Sequence, residues 1–159
     1  MRLAGLNPTS LFDGVGVNYV IFFQGCRHRC PHCHNPSTWD FNGGIEMCHE
    51  HLQSRIKKFL PIITGITLSG GDPIYQLDDA LMLAEWAKSV GLNVTLYTGF
   101  SFKELLEQNV PLVAFDYIFD GLFVKAQASV DIPFRGSVNQ QMWRRENDGW
   151  FCVDGSARR

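Results

Sequence analysis

The chain has 159 residues, 45% hydrophobic and 19% charged, with a formal net charge of -2 and a pI of about 6.2. That composition gives one globular domain over residues 1–159 with enough apolar material for a core. It excludes the basic surface that nucleic acid or an anionic membrane requires, since cations pair only at Lys57-Lys58, Arg144-Arg145 and Arg158-Arg159.

In chain order, residues 17–23 (VNYVIFF) form a β-branched and aromatic run ending before Gly25, the pattern of a strand buried on both faces. Met47, Leu52, Ile56, Phe59 and Leu60 fall at helical spacing over residues 46–60, and Pro61 closes that segment. Residues 62–68 (IITGITL) read as the next strand. The turn SGGDP then leads to a helix over residues 78–90, with Ala80, Leu81, Ala84 and Ala87 as its inner stripe and Gly91 as its stop. Residues 93–97 (NVTLY) predict a third strand, and Ser101 with Glu104 has the spacing of a capping box opening a short helix. Further apolar runs lie at 117–119 and 122–124, and 150–153 reads as an edge strand. Strands alternating with helices imply an α/β fold. A closed eight-stranded barrel needs about 200 residues or more, so the expectation is an incomplete, TIM-like barrel of parallel strands with outer helices.

The start, MRLAGLNPTSLFDG, lacks the apolar stretch of an export signal, and no apolar run approaches the roughly 18 residues of a membrane span. A cytoplasmic location is expected. Five cysteines are an odd number, and Cys26, Cys30 and Cys33 form CxxxCxxC directly after the first predicted strand. In reducing cytosol that pattern points to metal ligation or redox chemistry. An iron–sulfur cubane has four irons, and three thiolates leave one of them free for the amino and carboxylate groups of a cosubstrate. The competing reading is structural zinc, with His28, His32, His34, His49 or His51 as a fourth ligand. Cys48 and Cys152 read as small core residues. The histidines default to surface or hydrogen-bonding roles, except His34, which follows Cys33 directly and is placed to shape the cluster's surroundings.

The string GCRHRCPHCHNPSTW resembles the glycyl-radical activating enzymes of the radical S-adenosylmethionine superfamily, and DGVG (13–16), SGGDP (69–73), YTGF (97–100) and FRGSVNQ (134–140) continue that resemblance in order. The last string, with DGLFV before it, is similar to that of activating enzymes for anaerobic ribonucleoside-triphosphate reductases. Three positions depart from the pattern: His32 replaces an aromatic residue, Asp72 a glutamate and Asn18 a basic residue.

The resemblance implies a 4Fe-4S cluster on Cys26, Cys30 and Cys33, and S-adenosylmethionine contacted by Gly70, Gly71, Asp72, Thr98 and Asn35, with Trp39 in the wall behind. Asp72 is expected near the ammonium group and Thr98 near the ribose. It implies reductive cleavage to methionine and a 5'-deoxyadenosyl radical, which takes hydrogen from a glycine in the reductase large subunit. An electron donor such as a flavodoxin is implied, and no residue of the chain serves as a separate catalytic acid or base. Arg135, Asn139 and Gln140 are candidates for the partner-facing mouth.

Overall fold

The computed structural model describes residues 1–147 and 149–153. Eight strands form one sheet: β1 (Arg2–Ser10), β2 (Asn18–Phe23), β3 (Ile45–Glu46), β4 (Gly65–Gly70), β5 (Asn93–Tyr97), β6 (Tyr117–Asp120), β7 (Gln141–Glu146) and β8 (Gly149–Val153). Three helices join them, α1 (His49–Lys57), α2 (Leu77–Ser89) and α3 (Phe102–Glu107). The order across the sheet is β3-β1-β2-β4-β5-β6-β7-β8. The parallel pairings are those among β2, β4, β5 and β6. β1 and β3 on one side, and β7 and β8 on the other, are antiparallel.

An all-parallel sheet was expected, so half of its strands are a correction. The sheet is also open, with β3 and β8 at its two ends. β1 escapes sequence reading because Gly5, Asn7 and Pro8 are weak strand formers; Pro8 falls where the pairing with β2 slips between Asn7 and Ser10. β7 (QMWRRE) is polar. Tertiary contacts support it: Trp143 stacks on Phe102 at 4.2 Å, and the Arg145 guanidinium lies 3.3 Å from Asp116. The run 122–124 forms no strand.

Elsewhere the periodicity reads well. The 62–68 strand begins three residues late, at Gly65, because Thr64 still belongs to the turn that bonds Val17. α2 buries Ala80, Leu83, Ala84 and Ala87; Leu81 is only partly buried, so Leu83 completes the stripe instead. α3 carries the capping box, the Ser101 hydroxyl accepting from Glu104 N–H and the Glu104 carboxylate accepting from Ser101 N–H. Cys48 and Cys152, expected in the core, are exposed.

Strand alternation assigns two faces. Tyr19, Ile21, Phe23, Ile66, Leu68, Val94, Leu96 and Ile118 join Leu52 and Ile56 of α1, the stripe of α2 and Leu105 of α3 in one apolar core. The opposite face carries Phe22, Thr67, Ser69, Thr95 and Tyr97. The 11–17 loop packs on part of it: Thr67 donates to the Asp13 carbonyl at 2.5 Å, and Gly14, at φ 114, leaves no room for a side chain between Thr67 and Thr95. Asn18 closes that loop by donating to Val15 and Gly16 carbonyls. No helix among the described residues is long and apolar enough to cross a membrane.

Candidate functional site

Parallel strands share a direction, so the C-terminal ends of β2, β4, β5 and β6 lie on one side of the sheet, where α/β proteins place their sites. A cavity of about 640 Å³ opens there. Its wall takes Phe22 from β2, Ser69, Gly70 and Gly71 from the end of β4, Tyr97, Thr98 and Gly99 from the end of β5, and Gly121 after β6. Cys26, Cys30 and Cys33 border it together with His28, His34, Asn35 and Trp39, and Asp13 and Arg135 close other sides.

The cysteine loop is seated by its backbone. Gly25 N–H donates to the Thr38 carbonyl (2.7 Å) and Cys26 N–H to that of Trp39 (3.3 Å), while Cys33 N–H turns back to Cys30 (3.0 Å). Asn35 N–H donates to the Cys33 sulfur at 3.4 Å. All three cysteines are free thiols, Cys26 buried and the other two half-buried. Burial pushes the Cys26 thiol above its usual range, and the Asp72 charge adds to this; hydrogen bonds from the His28 and Arg29 peptide groups oppose both by favouring the thiolate.

The glycines earn their place by contact. A Cβ on Gly70, whose φ is 103, would stand 2.4 Å from Phe23 N, and one on Gly71 would stand 2.4 Å from the Gly25 carbonyl oxygen. Only bare backbone lets the turn after β4 lie against the start of the cysteine loop.

Asp72 differs from its expectation. It is fully buried and absent from the cavity wall. Its carboxylate accepts from Ile74 N–H (3.0 Å), Gly99 N–H (2.9 Å) and the Thr98 hydroxyl (2.9 Å to Oδ2), and His28 Nε2 lies 2.9 Å from Oδ2. Thr98 lines the cavity, yet its hydroxyl is spent on Asp72. Sequence reading left His28 among histidines with surface or hydrogen-bonding roles and did not single it out; its position midway between Cys26 and Cys30 was the available signal. His34 rests against Phe123 at the cavity wall, ring centroids 4.9 Å apart, whereas His32 is exposed and outside the wall. His49 bonds Asp79 at 2.8 Å, away from the cavity.

In FRGSVNQ, Phe134, Arg135, Gly136 and Gln140 line the cavity and Asn139 does not. Gln140 accepts from Gly136 N–H and donates to the Gly121 carbonyl, so it folds this segment over the site. Tyr97 anchors the same segment from the sheet by donating to the Phe134 carbonyl (2.8 Å); burial holds its phenol well above the usual range and therefore neutral.

Among the described residues no three His, Cys, Asp or Glu side chains converge closely enough to grip a single metal ion. The three thiols border one shared cavity. A cubane takes one thiolate at each of separate irons, and three free thiols on one cavity are the donor chemistry it needs.

Comparison with known proteins agrees with that donor set. A family model described as a 4Fe-4S single cluster domain matches residues 12–143. The chain belongs to this family. Its relatives among the 4Fe-4S single cluster proteins include the anaerobic ribonucleoside-triphosphate reductase-activating protein of Enterobacteria phage T4, 32% identical over 94% of this chain and 98% of the relative. The Haemophilus influenzae protein of the same name is 30% identical over 86% of this chain and 94% of its own length. A pyruvate formate-lyase-activating enzyme of Clostridium pasteurianum is 33% identical over 72% of this chain but only 51% of that longer protein. This 4Fe-4S protein is thereby an enzyme of the radical S-adenosylmethionine class, with a 4Fe-4S cluster and S-adenosylmethionine as cofactors.

Proposed function

We propose that this chain activates an anaerobic ribonucleoside-triphosphate reductase by generating a glycyl radical on its large subunit. The observation that carries the reading is the single cavity bordered at once by three free thiols, the Gly70-Gly71 turn and the end of β5, in a chain whose full-length relatives bear that activity in their names. Cys26, Cys30 and Cys33 would hold the cluster. Held there, the cluster would supply the one electron needed to cleave S-adenosylmethionine to methionine and a 5'-deoxyadenosyl radical.

The protein's own work is placement and exclusion. Gly70 and Gly71 offer backbone groups to the methionine end, and Asn35 and Thr98 border the rest of the cosubstrate. Asp72 belongs to the same assignment by an indirect route, tying the cysteine loop to Thr98 and Gly99. The FRGSVNQ segment, held by Tyr97 and Gln140, covers the far side and limits stray water. The open sheet is read as an incomplete barrel whose mouth admits a loop of the partner. An electron donor such as a flavodoxin and a cytoplasmic setting complete the proposal.

The Clostridium relative supports a second reading, activation of a formate lyase. Both are tested by adding reductant and S-adenosylmethionine to the anaerobically reconstituted protein with either target and recording electron paramagnetic resonance. A glycyl radical on the reductase large subunit is expected; methionine release with a radical only on the lyase overturns the first reading in favour of the second.

A further inference from the structure

Between Cys26 and Cys30 the chain has three residues; Arg27 lies over the Phe41 and Tyr75 rings from outside, and His28 bonds a buried carboxylate. Arg27 and Arg29 are exposed, whereas the His28 ring lies 2.9 Å from the Asp72 carboxylate and edge-on to Phe100 at 4.6 Å. Asp72 is immobilised independently of His28, because Ile74 N–H, the Thr98 hydroxyl and Gly99 N–H all donate to it. The slot for the ring is cut by Gly99, where a Cβ would meet His28 Cδ2 at 2.5 Å. Arg29, the next residue, sits at φ 48, a conformation that persists in a non-glycine residue when its surroundings enforce it. Gly25 N–H and Cys26 N–H are held by the Thr38 and Trp39 carbonyls (2.7 and 3.3 Å), so the loop is pinned at Cys26 by its backbone and two residues later by the His28 side chain.

We infer that His28 is a positioning residue, whose clamp on Asp72 fixes the path of the loop between Cys26 and Cys30 and so holds the Cys30 thiol where the cluster takes it up. Groups that orient the ligands of a metal centre govern how tightly it is bound. Ring packing alone would give the same fold without this effect, and two substitutions separate the roles. His28→Phe keeps the contacts with Phe100 and Tyr75 and loses the donor; His28→Gln keeps a donor at a similar reach and loses the ring.

The inference rests on Cys26, Cys30 and Cys33 being the cluster ligands, and the test distinguishes the two levels. Reconstituted wild-type, H28F, H28Q and C30A proteins are compared by iron content, by the resonance signal of the reduced cluster without a partner, and by urea unfolding. The expected result is iron content and cluster signal lowered about 10-fold or more in H28F and near wild type in H28Q, with both chains unfolding at the wild-type urea concentration. Wild-type iron content in H28F, an H28Q chain that loses as much iron as H28F, or iron loss that follows a lowered unfolding midpoint overturns it. A C30A chain that retains a full complement of iron overturns the ligand assignment underneath.

Discussion

On one face of the parallel strands stand Ile21, Ile66, Leu68, Val94 and Leu96, sealed beneath three helices; on the other stand Phe22, Ser69 and Tyr97, bordering a cavity with free thiols. The same three strands, β2, β4 and β5, supply both. Alternation sends each residue's neighbour to the opposite side, so stability and chemistry are interleaved along the sequence and separated in space. Substitutions on the helix face should therefore change unfolding, and those at the cavity should change cofactor binding, with little exchange between them.

The sharpest break of that separation comes from the cavity side. Cys30→Ala and Cys33→Ala should each remove the cluster and abolish methionine release from S-adenosylmethionine, while the iron-free chains unfold at nearly the wild-type urea concentration. Leu83→Ala probes the opposite face. Leu83 is fully buried in α2, and its truncation should cost about 2–5 kcal/mol in urea unfolding, with cluster content unchanged per folded molecule.

Gly70→Ala tests the place where the faces meet, because its φ of 103 and the approach of Phe23 N penalise any side chain. Backbone strain alone should cost about 1–3 kcal/mol, the clash should add to it, and iron content should fall as well. Gly91→Ala is its control: Gly91 has a φ of 82 but nothing near an added Cβ, so about 1–2 kcal/mol of strain is expected with iron retained.

Ser101→Ala gives a smaller effect, about 1 kcal/mol from the lost cap of α3. Hydrogen bonds from the Ser101 hydroxyl and peptide hold the Glu104 carboxyl below its usual range. A lowered carboxylate contributes stability above its unfolded value and loses it as pH falls through the folded one. The gap in melting temperature between wild type and S101A should therefore narrow in acid, below the ordinary glutamate range, to the part left by the hydroxyl that accepts from Glu104 N–H. Smallest of all, Cys48→Ala and Cys152→Ala, both exposed, should leave iron content and methionine release unchanged.

The sequence by itself determined the parallel heart of this protein: β2 and β5 from β-branched runs, α2 from its alanine stripe, α3 from its capping box, and the three cysteines from their spacing. These signals are local, set by periodicity and turn chemistry within a few residues. Tertiary structure alone decided β1 and β7, where the Pro8 segment and a polar run become strands only because a neighbour pairs with them. It also decided the fate of Asp72, whose carboxylate is claimed by donors 2, 26, 27 and 44 positions away in sequence. A carboxylate's partners depend on which loops the folded sheet brings together, and no spacing rule along the chain encodes that encounter.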